Sequence, residues 1–210
     1  MRNLYVIGPQ CTGKTTLVNA LEEAYAIDTK LESENVTPQP AIVREVARTV
    51  LKEKGFSRED ITTSPARAFE LQKYILEAQF EAETTATTIN SPSWYICDRS
   101  GLDPVVYTLL FVGANAAAEM LASKAWMELE NRMKEGVVIL CEAGCHWLTD
   151  DGTRLMPTSA EDWVRVDDAF RELLQARDIA FSLLSKDTVE LSKRVEFVRE
   201  RMNARHAGLL

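Results

Sequence analysis

The residues Gly8-Pro9-Gln10-Cys11-Thr12-Gly13-Lys14-Thr15 restrict the fold of this chain more than any other stretch. Two glycines with four residues between them, followed by Lys and a hydroxyl residue, make the Walker A pattern. The flanks suit it: apolar Leu4 to Ile7 reads as a strand running into the loop, and Leu17, Leu21 and Ala24 fall on one face of a helix leaving it. Such a strand-loop-helix unit turns main-chain N–H groups and the positive end of a helix onto one point, which is what a polyphosphate needs. Gly8, Pro9, Gln10, Cys11, Thr12, Gly13, Lys14, Thr15 and Thr16 are therefore the expected nucleotide contacts. Lys14 is expected to reach the β- and γ-phosphates, and the Thr15 hydroxyl to complete a Mg2+ shell.

Short apolar runs followed by helical patterns recur along the rest of the chain. That alternation builds a parallel sheet covered by helices, an α/β fold. Strands are expected at Leu4 to Ile7, Ala41 to Val43, Trp94 to Cys97, Val137 to Cys141 and Ala180 to Leu184. Ser64-Pro65 opens a long helix whose apolar face is Leu71, Tyr74, Ile75, Ala78 and Ala82. Asp187 with Glu190 reads as a capping box for a last helix with the stripe Leu191, Val195, Val198 and Met202. With 210 residues, one P-loop domain over 1–210 is the expectation, with a flexible lid at 149–159 and a frayed tail at 204–210.

The net charge of −8 argues against a polyanion, so nucleic acid is not an expected partner. Val105 to Ala122 is interrupted by Thr108, Gly113, Asn115 and Glu119 and reads as buried helices, not as a membrane span. A strand starting close to Met1 leaves no room for a leader, and Cys11, Cys97, Cys141 and Cys145 read as reduced thiols of a cytoplasmic protein. Cys141, Cys145 and His146 lack a second ligand pair at zinc spacing.

A phosphate loop implies nucleotide binding; the residue ending another core strand bears on the reaction. Trp94-Tyr95-Ile96-Cys97 delivers Asp98 to the carboxyl edge of the sheet, where ligands of open α/β folds bind. Asp98 can organise the metal's water shell, accept the proton of an attacking hydroxyl, or do both. Remodelling ATPases place Glu after this Asp, but Arg99 stands here. Regulatory GTPases use Asp-x-x-Gly, which Asp98 to Gly101 matches, yet Leu102 occupies the place of a water-orienting Gln and no Asn-Lys-x-Asp motif occurs. An acidic residue paired with Arg, as in Asp98-Arg99, is the small-molecule kinase arrangement. A kinase also shields the γ-phosphate from water with a cationic flap, for which Arg154 and, on the following helix, Arg165 are placed. Arg44, Glu45 and Arg48 emerge after the second strand at the same sheet edge, as either an acceptor site or a salt-bridged helix start. Asp103 and Tyr107, and Gln72, are further acceptor candidates.

Taken in order, the loop Gly8 to Thr15, the run Arg44-Glu45-Val46-Ala47-Arg48, the element Asp98-Arg99-Ser100-Gly101-Leu102-Asp103 with Tyr107, and a flap with Arg154 resemble the NadR-like AAA-type P-loop family, named for a ribosylnicotinamide kinase domain. The resemblance runs from Asn3 to Met202. It implies a three-layer sandwich around a five-stranded parallel sheet ordered 2-3-1-4-5, as in nucleoside kinases. It further implies ATP and Mg2+ as cofactors and phosphorylation of a hydroxyl on a nucleoside- or ribosyl-like small molecule. By this reading Lys14, Asp98, Arg99 and Arg154 are catalytic, Thr15 and Asp98 hold the metal, and Arg44, Glu45, Arg48, Asp103 and Tyr107 bind the acceptor. The rival expectation is a regulatory NTPase acting through a partner; a homodimer is compatible with either.

Overall fold

The computed structural model describes residues 1–31, 38–88, 94–146 and 159–204. Arg154, Trp147, most of the expected lid and residues 205–210 lie outside the described residues. The elements run β1 (Leu4–Ile7), α1 (Lys14–Leu31), β2 (Ala41–Val43), α2 (Val46–Lys54), α3 (Arg58–Thr63), α4 (Pro65–Thr88), β3 (Tyr95–Asp98), α5 (Leu102–Phe111), α6 (Ala114–Leu121), α7 (Lys124–Glu135), β4 (Val137–Cys141), α8 (Ala160–Ala176), β5 (Phe181–Leu184) and α9 (Leu191–Ala204). The strands form one five-stranded sheet in the order β2-β3-β1-β4-β5, and every neighbouring pair is parallel. No helix among the described residues is long and apolar enough to cross a membrane.

Strand side chains alternate between two cores, because successive residues of a strand point to opposite faces. Tyr5, Ile7, Tyr95, Cys97, Val138 and Leu140 pack with α5, α7 and α8 residues such as Val105, Trp126 and Phe170. Leu4, Val6, Ile96, Val137, Ile139 and Cys141 face Leu17, Val18 and Leu21 of α1 and Val198 and Met202 of α9. The result is three layers, with α1 and α9 on one side of the sheet and the remaining large helices on the other. Both faces of the central strands are buried, which is why they read as continuous apolar runs.

Caps set several helix starts. Ser123 Oγ accepts from Trp126 N at 3.2 Å to open α7, and Ser159 Oγ accepts from Asp162 N at 3.1 Å to open α8. Other local expectations differ from the structure. Tyr74 lies on the exposed side of α4, and the buried face of that helix includes Gln72, Gln79 and Glu83 beside its apolar residues. Leu191 is exposed and Arg194 is buried. Glu190 precedes the first turn of α9, its carbonyl accepting from Arg194 N at 3.1 Å, so the Asp187 and Glu190 pair does not form a box inside the helix. Tertiary contacts decide these positions, since α9 turns toward the phosphate loop.

Phe170 sits fully buried between α8 and the sheet. Phe170→Ala is expected to cost about 3–5 kcal/mol in chemical denaturation, through lost burial and the cavity left behind.

Candidate active site

Gly8 closes β1 at φ 126°, and a Cβ there would lie 2.5 Å from the Cys141 carbonyl oxygen of the adjacent strand. Only glycine lets the chain turn this close to β4. Cys11 (φ 61°) and Gly13 (φ 78°) continue the turn with left-handed backbone before α1 begins. Lys14 folds over the loop it closes: its Nζ donates to Gly8 O at 2.8 Å and to Pro9 O. Burial, reinforced by Arg99, lowers the Lys14 pKa to about 8, with Asp103, Cys141 and Asp98 opposing the shift.

Three helices pin the loop from outside. Trp163 Nε1 of α8 donates to Gln10 O at 2.8 Å, Arg194 Nη2 of α9 donates to Thr12 O at 2.8 Å, and Tyr107 Oη of α5 donates to Gln10 Oε1 at 2.9 Å. Trp163 also packs with Cys11, Ala143 and Cys145 in a small apolar cluster. Holding the Gln10 and Thr12 main-chain oxygens fixes those peptide planes, and with them the direction of the N–H groups.

Asp98 ends β3 in register with Val6 of β1, so it lies beside the loop that follows β1. Thr15 Oγ1 donates to Asp98 Oδ2 at 2.6 Å, while Asp98 Oδ1 is buried without a hydrogen-bond partner. Mg2+ takes oxygen ligands and keeps several of its waters. The Thr15 hydroxyl and an orphaned carboxylate oxygen next to it fit that demand. Among the described residues no group of three or more His, Cys, Asp and Glu could hold a metal, so an ion here would draw its other ligands from phosphate and water.

Arg99 follows at φ 89°, its N–H donating to Val6 O at 3.0 Å. Its guanidinium is held between two carboxylates, donating from Nε to Glu45 Oε1 at 2.9 Å and from Nη1 to Asp103 Oδ1 at 3.2 Å. Arg48 Nε reaches Glu45 Oε2 at 3.0 Å. Burial alone would raise the Glu45 pKa, but Arg99, Arg48 and Lys14 together bring it down to about 2. Asp103 goes the other way: burial raises it against the pull of Arg99 and Lys14. Tyr107 is pushed up to about 12, also by burial, with Arg99 opposing.

These side chains form one wall of a cleft of about 700 Å3, open to solvent, between α2, α3, α4 and α5. Gln10, Glu45, Arg48, Arg99, Asp103 and Tyr107 line its polar side, and Leu51, Ile61, Leu71 and Ile75 its apolar side, with Gln72 and Gln79 on α4. The structure thus brings Gly8 to Thr15, Asp98 and Arg99 together, and seats Glu45, Arg48, Asp103, Tyr107 and Gln72 on the cleft beside them. Arg44 does not join them. Strand alternation carried past Val43 directs Arg44 to the α1 side, where it bonds Asn19 Oδ1 at 2.5 Å and pairs with Glu22, while Glu45 faces the cleft. Arg165 is exposed and pairs with Asp162 of its own helix at 3.7 Å. The sequence reading missed Gln79, although a polar residue on the apolar stripe of α4 is a usable signal. It also missed Trp163 and Arg194, whose roles arise from contacts 153 and 182 residues away in sequence.

Gly8→Ala is expected to weaken triphosphate binding by at least about tenfold in calorimetry, because the added Cβ and the positive φ each strain the turn. A second prediction concerns Glu45. A carboxylate whose folded pKa lies below its unfolded value stabilises the fold above the unfolded value and loses that contribution as pH falls through the folded one. The window here runs from about 4.5 down to about 2, for a contribution on the order of 3 kcal/mol. Urea titrations between pH 5 and pH 3 should therefore show a smaller loss of stability in Glu45→Gln than in the wild type.

No curated protein sequence matches the chain. Among solved structures, deoxyadenosine kinase from M. mycoides with bound dATP superposes with a TM-score of 0.64 at 15% identity, covering 96% of this chain and 99% of the other. NadR protein in complex with NAD and AMP-PNP superposes with a TM-score of 0.66 at 13% identity, covering 95% of this chain and 49% of the other. This chain thus spans about half the length of NadR. YorR protein from Bacillus subtilis, in complex with phosphorylated GDP, gives 0.52 at 13% identity over 97% of each chain. At 13–15% identity these likenesses are likenesses of fold. The AAA domain model matches residues 3–191, nearly the whole described chain, and the protein belongs to that AAA domain family.

Proposed function

We propose that the protein is an ATP- and Mg2+-dependent phosphotransferase that moves the γ-phosphate to a hydroxyl of a nucleoside- or ribosyl-like acceptor. The observation that carries this reading is the cleft, lined by polar and apolar side chains, that shares Gln10 and Arg99 with the phosphate-loop region. A hydrolase needs room for one water; a cleft that sets a polar wall against an apolar wall suits a small organic molecule. The fold similarity to deoxyadenosine kinase and NadR supports the same class.

In this reading the loop amides from Gly8 to Thr16 and Lys14 bind the triphosphate, and Thr15 with Asp98 holds the Mg2+. When bound, Mg2+ offsets the negative charge on the β- and γ-phosphate oxygens. Glu45 and Asp103 are the cleft carboxylates that orient an acceptor hydroxyl, and Asp103, whose pKa burial raises, is the one to take its proton. The acceptor oxygen bonds to the γ-phosphorus as the bond from that phosphorus to the β,γ-bridging oxygen breaks, releasing ADP. Asp98 stays with the metal, because its Oδ2 is already engaged by Thr15. Arg99 fixes both cleft carboxylates at once and stands close to the transferred group; Arg48 shares Glu45. Tyr107, bonded to Gln10, ties the acceptor wall to the loop. Arg154 remains a candidate cation for the transferred phosphate. The regulatory GTPase reading is weakened by Leu102, which is fully buried in the core and cannot orient an attacking water.

With ATP and Mg2+ alone, slow hydrolysis is expected; adding the correct riboside should accelerate ATP consumption at least about a hundredfold. A nucleoside library that gives no acceleration, with GTP bound far better than ATP, would replace this reading by the regulatory NTPase. Asp98→Asn should keep nucleotide binding within a few-fold while turnover falls by about 10²–10³. Wild-type turnover in that variant would remove Asp98 from the mechanism.

A further inference from the structure

Beneath the cleft, α4 buries a carboxyl group that the proposed chemistry does not use. Glu83 is fully buried, which is expensive unless its oxygens are satisfied. Its Oε2 accepts from Tyr95 Oη of β3 at 2.8 Å and from Tyr5 Oη of β1 at 3.1 Å, and the two hydroxyls lie 2.7 Å apart. Three oxygens in mutual contact need three protons for every contact to be a hydrogen bond, and two phenols supply only two. Burial raises the Glu83 pKa while Gln79, Tyr95, Tyr5 and Arg132 act to lower it. With or without a third proton on Oε2, Glu83 Oε1 is left as an acceptor.

Gln79, one turn earlier on the same helix, uses that acceptor. Its Nε2 donates to Glu83 Oε1 at 2.8 Å and to Cys97 Sγ of β3 at 3.6 Å. A primary amide has two N–H groups, so both are spent on the protein. Gln79 is 1% exposed yet lines the cleft. The polar atom it can still offer there is its carbonyl oxygen, which has no hydrogen-bond partner among the described residues. Gln72, two turns earlier, also lines the cleft, but its side chain makes no hydrogen bond among the described residues, so its amide can turn either end to a ligand. Gln79 cannot turn without leaving Glu83 Oε1 facing another oxygen.

We propose that Gln79 determines acceptor specificity and Glu83 positions it: the cleft floor presents a fixed hydrogen-bond acceptor and so selects molecules with an exocyclic amino group on the ring edge that meets it. This inference rests on the phosphotransferase reading and names a feature of its substrate. A carbonyl in place of the donor sets two acceptors against each other and leaves both desolvated. Sites of this type discriminate more strongly than apolar pockets.

The test compares kcat/KM for riboside pairs that differ by a ring amino or oxo group, adenosine with inosine and cytidine with uridine. The wild type is expected to favour the amino member by about 10- to 100-fold. Glu83→Gln supplies an amide that can donate to the Gln79 oxygen and let Gln79 turn its N–H groups outward, so the ratio should fall to unity or invert. Gln79→Leu should bring the ratio toward unity while the thermal midpoint confirms a folded protein. In 15N spectra, the Gln79 side-chain protons of the wild type should exchange slowly and those of Glu83→Gln faster. A general loss of stability would lower turnover of both members and leave their ratio alone, so an unchanged ratio in the folded variants overturns the proposal. Equal turnover of both members by the wild type overturns it and leaves the kinase reading standing, whereas a riboside library with no member turned over, and GTP bound far better than ATP, overturns both.

Discussion

Arg99 is the point at which the parts of this site meet. A guanidinium mostly enclosed at the end of a central strand is best tolerated with carboxylates on it, and the two it has come from different elements. Glu45 stands at the end of β2 and Asp103 in the first turn of α5. Their attraction draws the β2 edge of the sheet and the helix after β3 together, and so shapes the cleft wall. The main-chain N–H of the same residue binds β1 through Val6, which leads into the phosphate loop. Removing that charge would leave buried Asp103 and half-buried Glu45 without the cation they share.

The phosphate loop depends on the sheet in a different way. Its turn is possible because Gly8 packs without a side chain against the Cys141 carbonyl of β4, and it is held by donors from α5, α8 and α9. Strand order explains why these meet. With β1 between β3 and β4, the loop after β1 and the Asp98 turn after β3 open on the same crevice, the place where open parallel sheets bind ligands. The buried network of Glu83, Tyr5, Tyr95 and Gln79 then carries the order of the sheet into the floor of the cleft.

Much of this arrangement was legible in one dimension. The three-residue strand Ala41–Val43 and the five-residue Val137–Cys141 were bounded as observed, because a strand buried on both faces writes itself as an unbroken apolar run. The strand at Tyr95–Asp98 begins one residue later than its apolar run suggests and takes in Asp98, since pairing with β1 continues past the last apolar side chain. Ser64-Pro65 marked the start of α4, as local sterics require. Tyr74 and Leu191 were misassigned to buried faces. An exposed aromatic or leucine cannot be told from a buried one by spacing alone when the helix has one wide stripe.

The amino-acid sequence by itself determined the class of fold, the strand-loop-helix turn around Gly8, and the residues Lys14, Thr15 and Asp98 that the turn and the next strand bring together. These are local or near-local properties, governed by backbone freedom, periodicity and the direction of a strand. Only the tertiary structure decided that Glu45 faces the cleft while Arg44 turns to α1, that Arg194 and Trp163 brace the loop, and that Glu83 locks the Gln79 amide. Each of those outcomes depends on which distant donor or acceptor a buried polar group finds, and a buried hydrogen bond is satisfied by proximity in space, which no spacing along the chain encodes.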